Sequence, residues 1–379
     1  MLGGASTSRD NRRTHPPVVL WAALLVLLSW PAFTFALGDW LAREGLMLPG
    51  GRTWFGRDFT NLYLGGEMLR EGVPIYDYRT YMGELQERGI TAGQNSSYPP
   101  PVYLVGVPLS YLPYGLALAL WHLVGAALFV FAARKHIPFH WGWLFLFPAM
   151  VSIPNGQYGL YTAAFWMFAF AGSGVAAGLL TIKPHLGILL ALAMAVKTRI
   201  RMIIIALAVA IGLLLLAELA FGLTAAFLGE GREMQMRILL TEADMGYFGA
   251  MPSTYVLLRG SPLAWPAQIA VGIAAVVMVW PLLVRADFKR LVFPLATATF
   301  LILPYSFSYD MAVVGLGFAS LLWREWRVLS LLEKVVTALA LLSTQWLFAT
   351  PLFLLAGLYV QRRRLLLELG DGEAQEATP

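Results

Sequence analysis

Long apolar stretches, separated by short polar and basic turns, account for most of the chain. The first runs from 18 to 37, and about 20 apolar residues are enough for an α-helix to cross a bilayer core of about 30 Å. A cleaved signal peptide is the alternative for this stretch, but its apolar region is long for that role. Further helices are predicted, one descending from Tyr158 and the others near 101–133, 139–154, 202–221, 263–284, 291–304, 309–323, 333–349 and 351–361. The pattern predicts an all-α polytopic membrane protein with about ten transmembrane helices.

Two of these stretches are interrupted. Pro108 and Pro113 divide 101–133, so its first part is predicted to be a short helix at the outer surface. Residues 184–196 are too few for a comfortable span. We interpret them as half of a broken or re-entrant element that includes Lys183, which is tolerated at membrane depth only where protein or a cavity surrounds it.

Basic clusters predict the orientation of the chain. Arg12 and Arg13 place the N-terminus in the cytoplasm, and the basic run from Arg362 to Arg364 places the C-terminus there too. The chain is thus predicted to contain a cytoplasmic N-terminal tail, a transmembrane domain with two outer loops, and a cytoplasmic basic and polar tail. These segments are 1–17, 18–361 (with the first outer loop at 38–100 and the second at 222–261) and 362–379. The end of the tail, from Gly370 to Pro379, is polar and predicted to be disordered.

Short interfacial helices are predicted in both outer loops. Residues 59–71 form one that Gly72 ends in the manner of a glycine C-cap. Its aromatic residues Phe59 and Tyr63 are expected at head-group depth, where amphipathic rings are favoured. The second outer loop has an amphipathic pattern near Met234–Leu240.

Composition supports the membrane class and excludes several functions. The 379 residues are 58% hydrophobic and 13% charged, whereas a soluble domain carries about 25% charged residues. The chain has no cysteine, which excludes disulfides and thiolate chemistry. The net charge of +5 comes largely from basic clusters at the two ends and in short loops, which indicate membrane orientation rather than nucleic-acid binding. His136 and His140 are four residues apart, but Pro138 between them disrupts the helix that this spacing needs. No metal site and no cofactor is therefore predicted from the protein.

Asp58 is the first candidate for chemistry. It opens an aromatic-rich segment early in the first outer loop, and a carboxylate there can remove the proton of an incoming hydroxyl. Two structural alternatives stay open: an ion pair with Arg57 or Arg52, and a helix N-cap before Phe59.

Other polar residues in or beside apolar stretches are candidate ligands. Lys183 and His185 can bind a departing phosphate, although Lys183 can equally extend to an interface. Arg259, in the second outer loop, is an alternative phosphate ligand. Substrate positioning is predicted for Asp310, for which helix capping is the alternative, and for Asn155 and Gln157, which can equally form a plain polar turn.

The order of these motifs resembles that of glycosyltransferase family 87, membrane enzymes of the GT-C class that include polyprenyl-phosphate-mannose-dependent mannosyltransferases. The resemblance extends over roughly 55–325 and includes most of the candidates above. The motifs are Asp58-Phe59, Tyr63, Gly65-Gly66, Tyr98-Pro99-Pro100-Pro101, Asn155-Gly156-Gln157, Ala177-Gly178, Lys183-Pro184, Pro304-Tyr305 and Tyr309-Asp310. One departure is Gly172-Ser173-Gly174, where the family has a basic turn.

The resemblance implies a GT-C-type helical bundle with a catalytic cavity that faces outwards. It implies that Asp58 is the general base and that the donor is a sugar on polyprenyl phosphate. The identity of the sugar and of the acceptor does not follow from the resemblance; the expected sugar is a hexose, with mannose as one candidate. Arg57, Tyr63 and Tyr98 join the candidate substrate-binding residues on this ground. The expected partners are the lipid-linked donor, a lipid or glycan acceptor and membrane lipids, at the outer face of a cell inner membrane.

Two other functions compete with sugar transfer. A polytopic transporter or lipid-linked-sugar flippase also needs many spans with interior polar residues, but it often shows interruptions at corresponding positions in two halves. Here the interruptions cluster in the first half, which favours an enzyme. A membrane enzyme that transfers acyl groups or polymers is the third option.

Overall fold

The computed structural model describes residues 56–90, 96, 98–137, 156–233, 236, 251–346 and 349–376, and these residues contain helices and no strand. The α-helices in chain order are α1 (Arg57–Arg70), α2 (Tyr78–Glu87), α3 (Tyr103–Leu109), α4 (Tyr114–Ala133), α5 (Gly159–Phe170), α6 (Gly174–Leu179), α7 (Ile188–Val196), α8 (Ile200–Phe221), α9 (Thr224–Ala226), α10 (Thr254–Leu257), α11 (Ala264–Arg285), α12 (Val292–Ile302), α13 (Ala312–Glu325), α14 (Leu331–Trp346) and α15 (Thr350–Glu376). Short 3-10 helices span Pro100–Val102, Leu180–Ile182, Pro184–Gly187, Phe288–Leu291 and Ser308–Asp310, and a π-helix spans Phe227–Gly231.

Three of the described helices, α4, α8 and α11, are long and apolar enough to cross a membrane. The last two correspond to the predicted spans at 202–221 and 263–284. Helices α12, α13 and α14, at three further predicted spans, have only 11, 14 and 16 residues, whereas a crossing needs about 20. The prediction of about ten crossings therefore stays open. The first predicted span, the stretch 139–154 and most of the amphipathic segment 234–240 lie outside the described residues.

Both predicted interruptions are present. In the first, α3 ends at Leu109 and α4 begins at Tyr114. In the second, α6 ends at Leu179 and α7 begins at Ile188, with two 3-10 turns between them. Lys183 separates these turns with φ −131° and ψ 75°, because a following proline disfavours helical geometry at the residue before it.

The C-terminal helix α15 corrects the predicted tail. The apolar stretch was expected to end near 361, with polar disorder from Gly370, but α15 continues to Glu376. Ion pairs hold its second half against the bundle and join Arg364 to Glu325, Arg363 to Glu333, and Glu368 to Arg290. Charged residues at helix spacing can prolong a helix when they pair with neighbouring elements, so polarity alone was a poor sign of disorder.

Glycines bring neighbouring helices close together. A Cβ at Gly66 would lie 2.4 Å from the carbonyl oxygen of Gly106, and a Cβ at Gly106 would lie 2.7 Å from that of Leu62. Helices α1 and α3 therefore pack backbone against backbone, as small residues allow. Gly178 has the same role between α6 and α8, since its Cβ would lie 2.7 Å from the Ala206 carbonyl oxygen.

The aromatic residues of α1 are packed inside the protein. Phe59 and Tyr63 are buried, and the Phe59 ring centroid lies 5.6 Å from that of Tyr114 and 6.0 Å from that of Trp121. Both rings are therefore covered by neighbouring helices and do not face lipid, whereas their depth in the membrane stays a prediction.

Two apolar clusters form the core. The loop cluster combines the segment from α1 to the start of α3 with the N-terminal half of α4 and includes Tyr158. The bundle cluster combines α5 with α6, α7 and the later helices, and includes Leu160. The clusters meet at the start of α5, and the candidate site lies at this boundary.

Candidate active site

Asp58 lies in the first turn of α1, at the edge of the loop cluster. The helix begins after Gly56, whose φ of 78° and ψ of 44° are left-handed and favour glycine. The Asp58 side chain is buried, with 8% of the residue exposed. It is not the N-cap, since Gly56 occupies that position without a side-chain cap. The capping interpretation of Asp58 was therefore wrong, and the side chains of Arg57 and Arg52 lie outside the described residues.

Tyr98 holds the backbone at Asp58, and Tyr76 holds Tyr98 in turn. The Tyr98 hydroxyl donates a hydrogen bond to the Asp58 carbonyl oxygen at 2.9 Å, and the Tyr76 hydroxyl donates one to the Tyr98 carbonyl oxygen at 2.6 Å. Burial raises the pKa of Tyr98 well above its usual value, and the nearby Asp58 charge raises it further. Tyr98 therefore stays protonated and donates to Asp58 across the neutral pH range.

Lys183 and Asp310 form a buried ion pair across the site. The Lys183 Nζ lies 2.8 Å and 2.7 Å from the two carboxylate oxygens of Asp310. The same Nζ lies 4.5 Å from the ring centroid of Tyr158 and 4.8 Å from that of Tyr309. Lys183 thus does not extend to an interface. Each aromatic face adds a cation–π contact to the ion pair.

Asp58 and this ion pair share one electrostatic environment. The charges of Asp58 and Asp310 interact with each other, and both act on the hydroxyls of Tyr158 and Tyr309. The Tyr98 and Tyr158 rings meet edge to face with centroids 5.2 Å apart. The structure therefore brings together four of the predicted residues: Asp58, Tyr98, Lys183 and Asp310.

The turn before α5 packs on the start of α1. Gly156 has a φ of 68°, and a Cβ there would lie 2.4 Å from the Phe59 Cβ. The Trp121 Nε1 donates to the Gly156 carbonyl oxygen at 3.0 Å. Gln157 follows as a buried residue, and its Oε1 has no hydrogen-bond partner. Asn155 lies outside the described residues.

The remaining predicted residues have other surroundings. The Tyr63 hydroxyl donates to the Leu112 carbonyl oxygen at 2.8 Å, so Tyr63 supports the loop cluster. His185 is half-buried, with its ring centroid 5.0 Å from that of Tyr305. Arg259 lies in the turn that follows α10. Just before α10, the Ser253 hydroxyl donates a hydrogen bond to the Pro304 carbonyl oxygen at 2.5 Å, which attaches this segment to the chain just beyond α12.

A small pocket lies beside Asp310. Its walls come from α5, α12 and the 3-10 turns around Lys183, and they are largely apolar. The lining residues include Thr162, Trp166, Leu180, Leu186, Phe300 and Asp310, but not Asp58. Within the part of the chain described, no group of three or more histidines or carboxylates is arranged to hold a metal ion.

Sequence reasoning missed the partnership of Lys183 with Asp310. Each was assigned a separate substrate contact, although a charge inside an apolar stretch normally pairs with an opposite charge. Two opposite charges in otherwise apolar stretches were the available signal for the pair.

The fold and the site define a helical membrane protein with a buried carboxylate beside a buried ion pair. A family model for glycosyltransferase family 87 matches residues 97–306. The match covers more than half of the chain, which therefore belongs to this family and is a membrane glycosyltransferase. The matched region is narrower than the resemblance over 55–325, and Asp58 and Asp310 lie outside it. No curated protein and no solved structure matches the chain.

Proposed function

We propose that the protein transfers a hexose from a polyprenyl-phosphate sugar to a lipid or glycan acceptor at the outer face of a cell inner membrane, with both termini in the cytoplasm. The observation that carries this proposal is the burial of Asp58 within electrostatic reach of the Lys183–Asp310 pair. Membership of a glycosyltransferase family supports it against the transporter or flippase alternative.

Asp58 acts as the general base of a single displacement. The acceptor hydroxyl attacks C1 of the sugar on the face opposite the phosphate, and its proton passes to the Asp58 carboxylate. The bond between C1 and the phosphate oxygen breaks, and its electron pair leaves with the polyprenyl phosphate. One displacement inverts the configuration at C1, as in inverting glycoside hydrolysis.

The geometry around Asp58 suits a base that must stay in place. The Tyr98 hydroxyl donates a hydrogen bond to the Asp58 carbonyl oxygen, Tyr76 holds Tyr98 in turn, and Gly156 packs on the first turn of α1. A base aligned in this way avoids part of the entropic cost of meeting the acceptor hydroxyl. Burial also strengthens its interaction with the developing positive charge of the sugar ring.

Replacement of Asp58 by asparagine tests the proposal. The purified protein is incubated with radiolabelled polyprenyl-phosphate sugars, one at a time, and with candidate lipid and glycan acceptors. Asp58→Asn keeps the size of the side chain but cannot take the proton, and loss of a general base lowers the rate by about 10²–10⁴-fold. Full activity of this variant would refute the role of Asp58.

Asp77→Asn is the matched control. Asp77 is also a carboxylate of the first outer loop, and it caps α2 by accepting a hydrogen bond from the Thr80 N–H at 2.7 Å. Asparagine caps helices about as well as aspartate, so this variant should keep the wild-type rate. Loss of activity in both variants would indicate a general effect of charge in the loop.

The orientation has its own test, because the natural chain has no cysteine. Single cysteines at the exposed positions Arg79 and Lys289 can be labelled in intact cells with a membrane-impermeant maleimide. Arg79→Cys should react before lysis and Lys289→Cys only after it. The reverse pattern would place Asp58 on the cytoplasmic side and contradict the proposed outer-face reaction.

A further inference from the structure

The proposed reaction needs a cation for the departing phosphate, and Lys183 is poorly available for this role. Both carboxylate oxygens of Asp310 lie within 2.8 Å of its Nζ, so the lysine charge is already neutralised. A phosphate would have to compete with a buried carboxylate in close contact. The departing phosphate therefore needs a different cation.

The second outer loop begins with an unusual turn. After α9 the chain forms a π-helix from Phe227 to Gly231, and such turns occur mostly as local insertions, frequently at functional sites. The turn docks on the first outer loop through Tyr76, whose ring centroid lies 5.5 Å from that of Phe227. A Cβ at Gly231 would lie only 2.8 Å from the Tyr76 Cδ1, so only glycine fits this approach without a shift.

Tyr76 is a fixed partner for this contact. It is buried, and its hydroxyl donates to the carbonyl oxygen of Tyr98, which in turn holds Asp58. The ring cannot move away from Gly231 without straining the hydrogen bond that supports the base. The start of the second outer loop is therefore positioned relative to Asp58 by three successive contacts.

Arg232 follows Gly231 directly and is exposed. Burial raises the pKa of Tyr305, and the positive charge of Arg232 opposes that shift. The Tyr305 ring contacts that of His185, two residues beyond Lys183. The charge of Arg232 thus acts on Tyr305, and Arg232 follows a turn that contacts Tyr76 behind Asp58.

We propose that Arg232 binds the phosphate of the lipid-linked donor and that the contact of Gly231 with Tyr76 holds it in position. This inference rests on the proposed function and names the phosphate ligand of the same site. A guanidinium can donate two parallel hydrogen bonds to phosphate oxygens and stays charged at all relevant pH values. Arg232 is better exposed for this role than Arg259, whose Nη1 is buried.

Binding of polyprenyl phosphate itself tests the inference, measured as inhibition of transfer and as direct binding to the purified protein. Arg232→Gln should weaken both by about tenfold or more, since a hydrogen bond to a charged group is lost. Arg232→Lys should recover part of the affinity. The KM for the acceptor should stay unchanged in both variants.

Two glycines of the same turn give a matched pair. Gly231→Ala should weaken polyprenyl-phosphate binding by displacing Arg232, whereas a Cβ at Gly229 meets nothing within 4 Å, and Gly229→Ala should bind as the wild type does. If Gly231 acts through Arg232, the double variant Gly231→Ala/Arg232→Gln should bind no more weakly than Arg232→Gln alone. Additive losses would overturn the positioning role of Gly231.

The outcomes of the binding and transfer assays distinguish a failure of this inference from a failure of the proposed function, and phosphate binding from binding to lipid head groups. Unchanged polyprenyl-phosphate binding by Arg232→Gln would overturn the inference while leaving sugar transfer intact. Absence of transfer by the wild type with every donor would refute the proposed function, and the binding assay would still report on Arg232. Binding is measured in neutral detergent and again with added anionic lipid. An effect of Arg232→Gln seen only with the lipid would assign the residue to head groups and overturn the inference.

Discussion

The Lys183 Nζ lies 2.8 Å and 2.7 Å from the two carboxylate oxygens of Asp310, which is 127 residues further along the chain. The contact ties the non-helical break after α6 to the turn that precedes α13. The Asp310 side chain is fully buried and that of Lys183 is 10% exposed. The pair therefore joins these two segments at the edge of the candidate site. Because both side chains are buried, water does little to stabilise either charge.

Removing one partner of this pair should destabilise the protein strongly. Lys183→Met leaves a buried carboxylate and Asp310→Asn leaves a buried ammonium, and loss of one partner of a buried pair costs about 3–5 kcal/mol. The double variant Lys183→Met/Asp310→Leu should recover much of this loss, since it leaves no uncompensated charge. Thermal unfolding of the purified protein in detergent measures these differences. Single variants as stable as the wild type would show that the pair does not hold the bundle.

Tyr98→Phe should lower kcat while leaving the KM values for donor and acceptor nearly unchanged. The variant keeps the ring but removes the hydrogen bond to the Asp58 carbonyl oxygen, and a small displacement of a catalytic group can cost about tenfold or more in rate. A role of Tyr98 in substrate binding predicts the opposite result, a raised KM with kcat preserved. Steady-state kinetics with both substrates varied distinguishes the two roles.

The pH dependence of the wild type gives an independent test of Tyr98. Because burial and the Asp58 charge raise the pKa of Tyr98, its proton remains bound beyond the usual tyrosine range near pH 10. No loss of kcat from deprotonation of Tyr98 is therefore expected between pH 7 and about 9. A fall of kcat in that interval that disappears in Tyr98→Phe would contradict the raised pKa.

The helices of the bundle could be predicted from the sequence where hydrophobic runs are long. Helices α8 and α11 match their predicted spans within about two residues, because nearly every position in those windows is apolar. The end of α15 could not be predicted in this way. The second half of this helix contains the pairs Arg364–Glu325 and Arg363–Glu333, which join residues that only the fold brings together.

The sequence indicated which residues are candidates for the site but not which of them contact each other. Proline after Lys183 indicated the break, and the isolated charges of Asp58 and Asp310 indicated a functional region. Which charges pair depends on helix packing over long sequence separations, and a single sequence does not encode that in local patterns. The contact of Gly231 with Tyr76 was hidden for the same reason.

Gly66→Ala should destabilise the packing of α1 on α3. The new Cβ would lie 2.4 Å from the carbonyl oxygen of Gly106, so α1 and α3 would have to separate, and overpacking of this kind costs about 1–3 kcal/mol. The control is Gly83→Ala in α2, where a Cβ meets nothing within 4 Å. That variant should be as stable as the wild type or slightly more stable, because alanine favours helix. Equal unfolding temperatures for the two variants would argue against close packing of α1 on α3.

The second half of α15 should contribute to stability, in contrast to a disordered tail. In the Arg364–Glu325 pair both side chains are largely buried, with 15% and 16% exposed, whereas in Arg290–Glu368 they are 36% and 45% exposed. Arg364→Gln leaves a partly buried carboxylate and should cost about 1–3 kcal/mol, while Arg290→Gln should cost less than about 1 kcal/mol because solvent screens that pair. Thermal unfolding in detergent compares both variants with a chain that ends at Gln361. If the shortened chain and Arg364→Gln both unfold at the wild-type temperature, this part of α15 does not hold the bundle together.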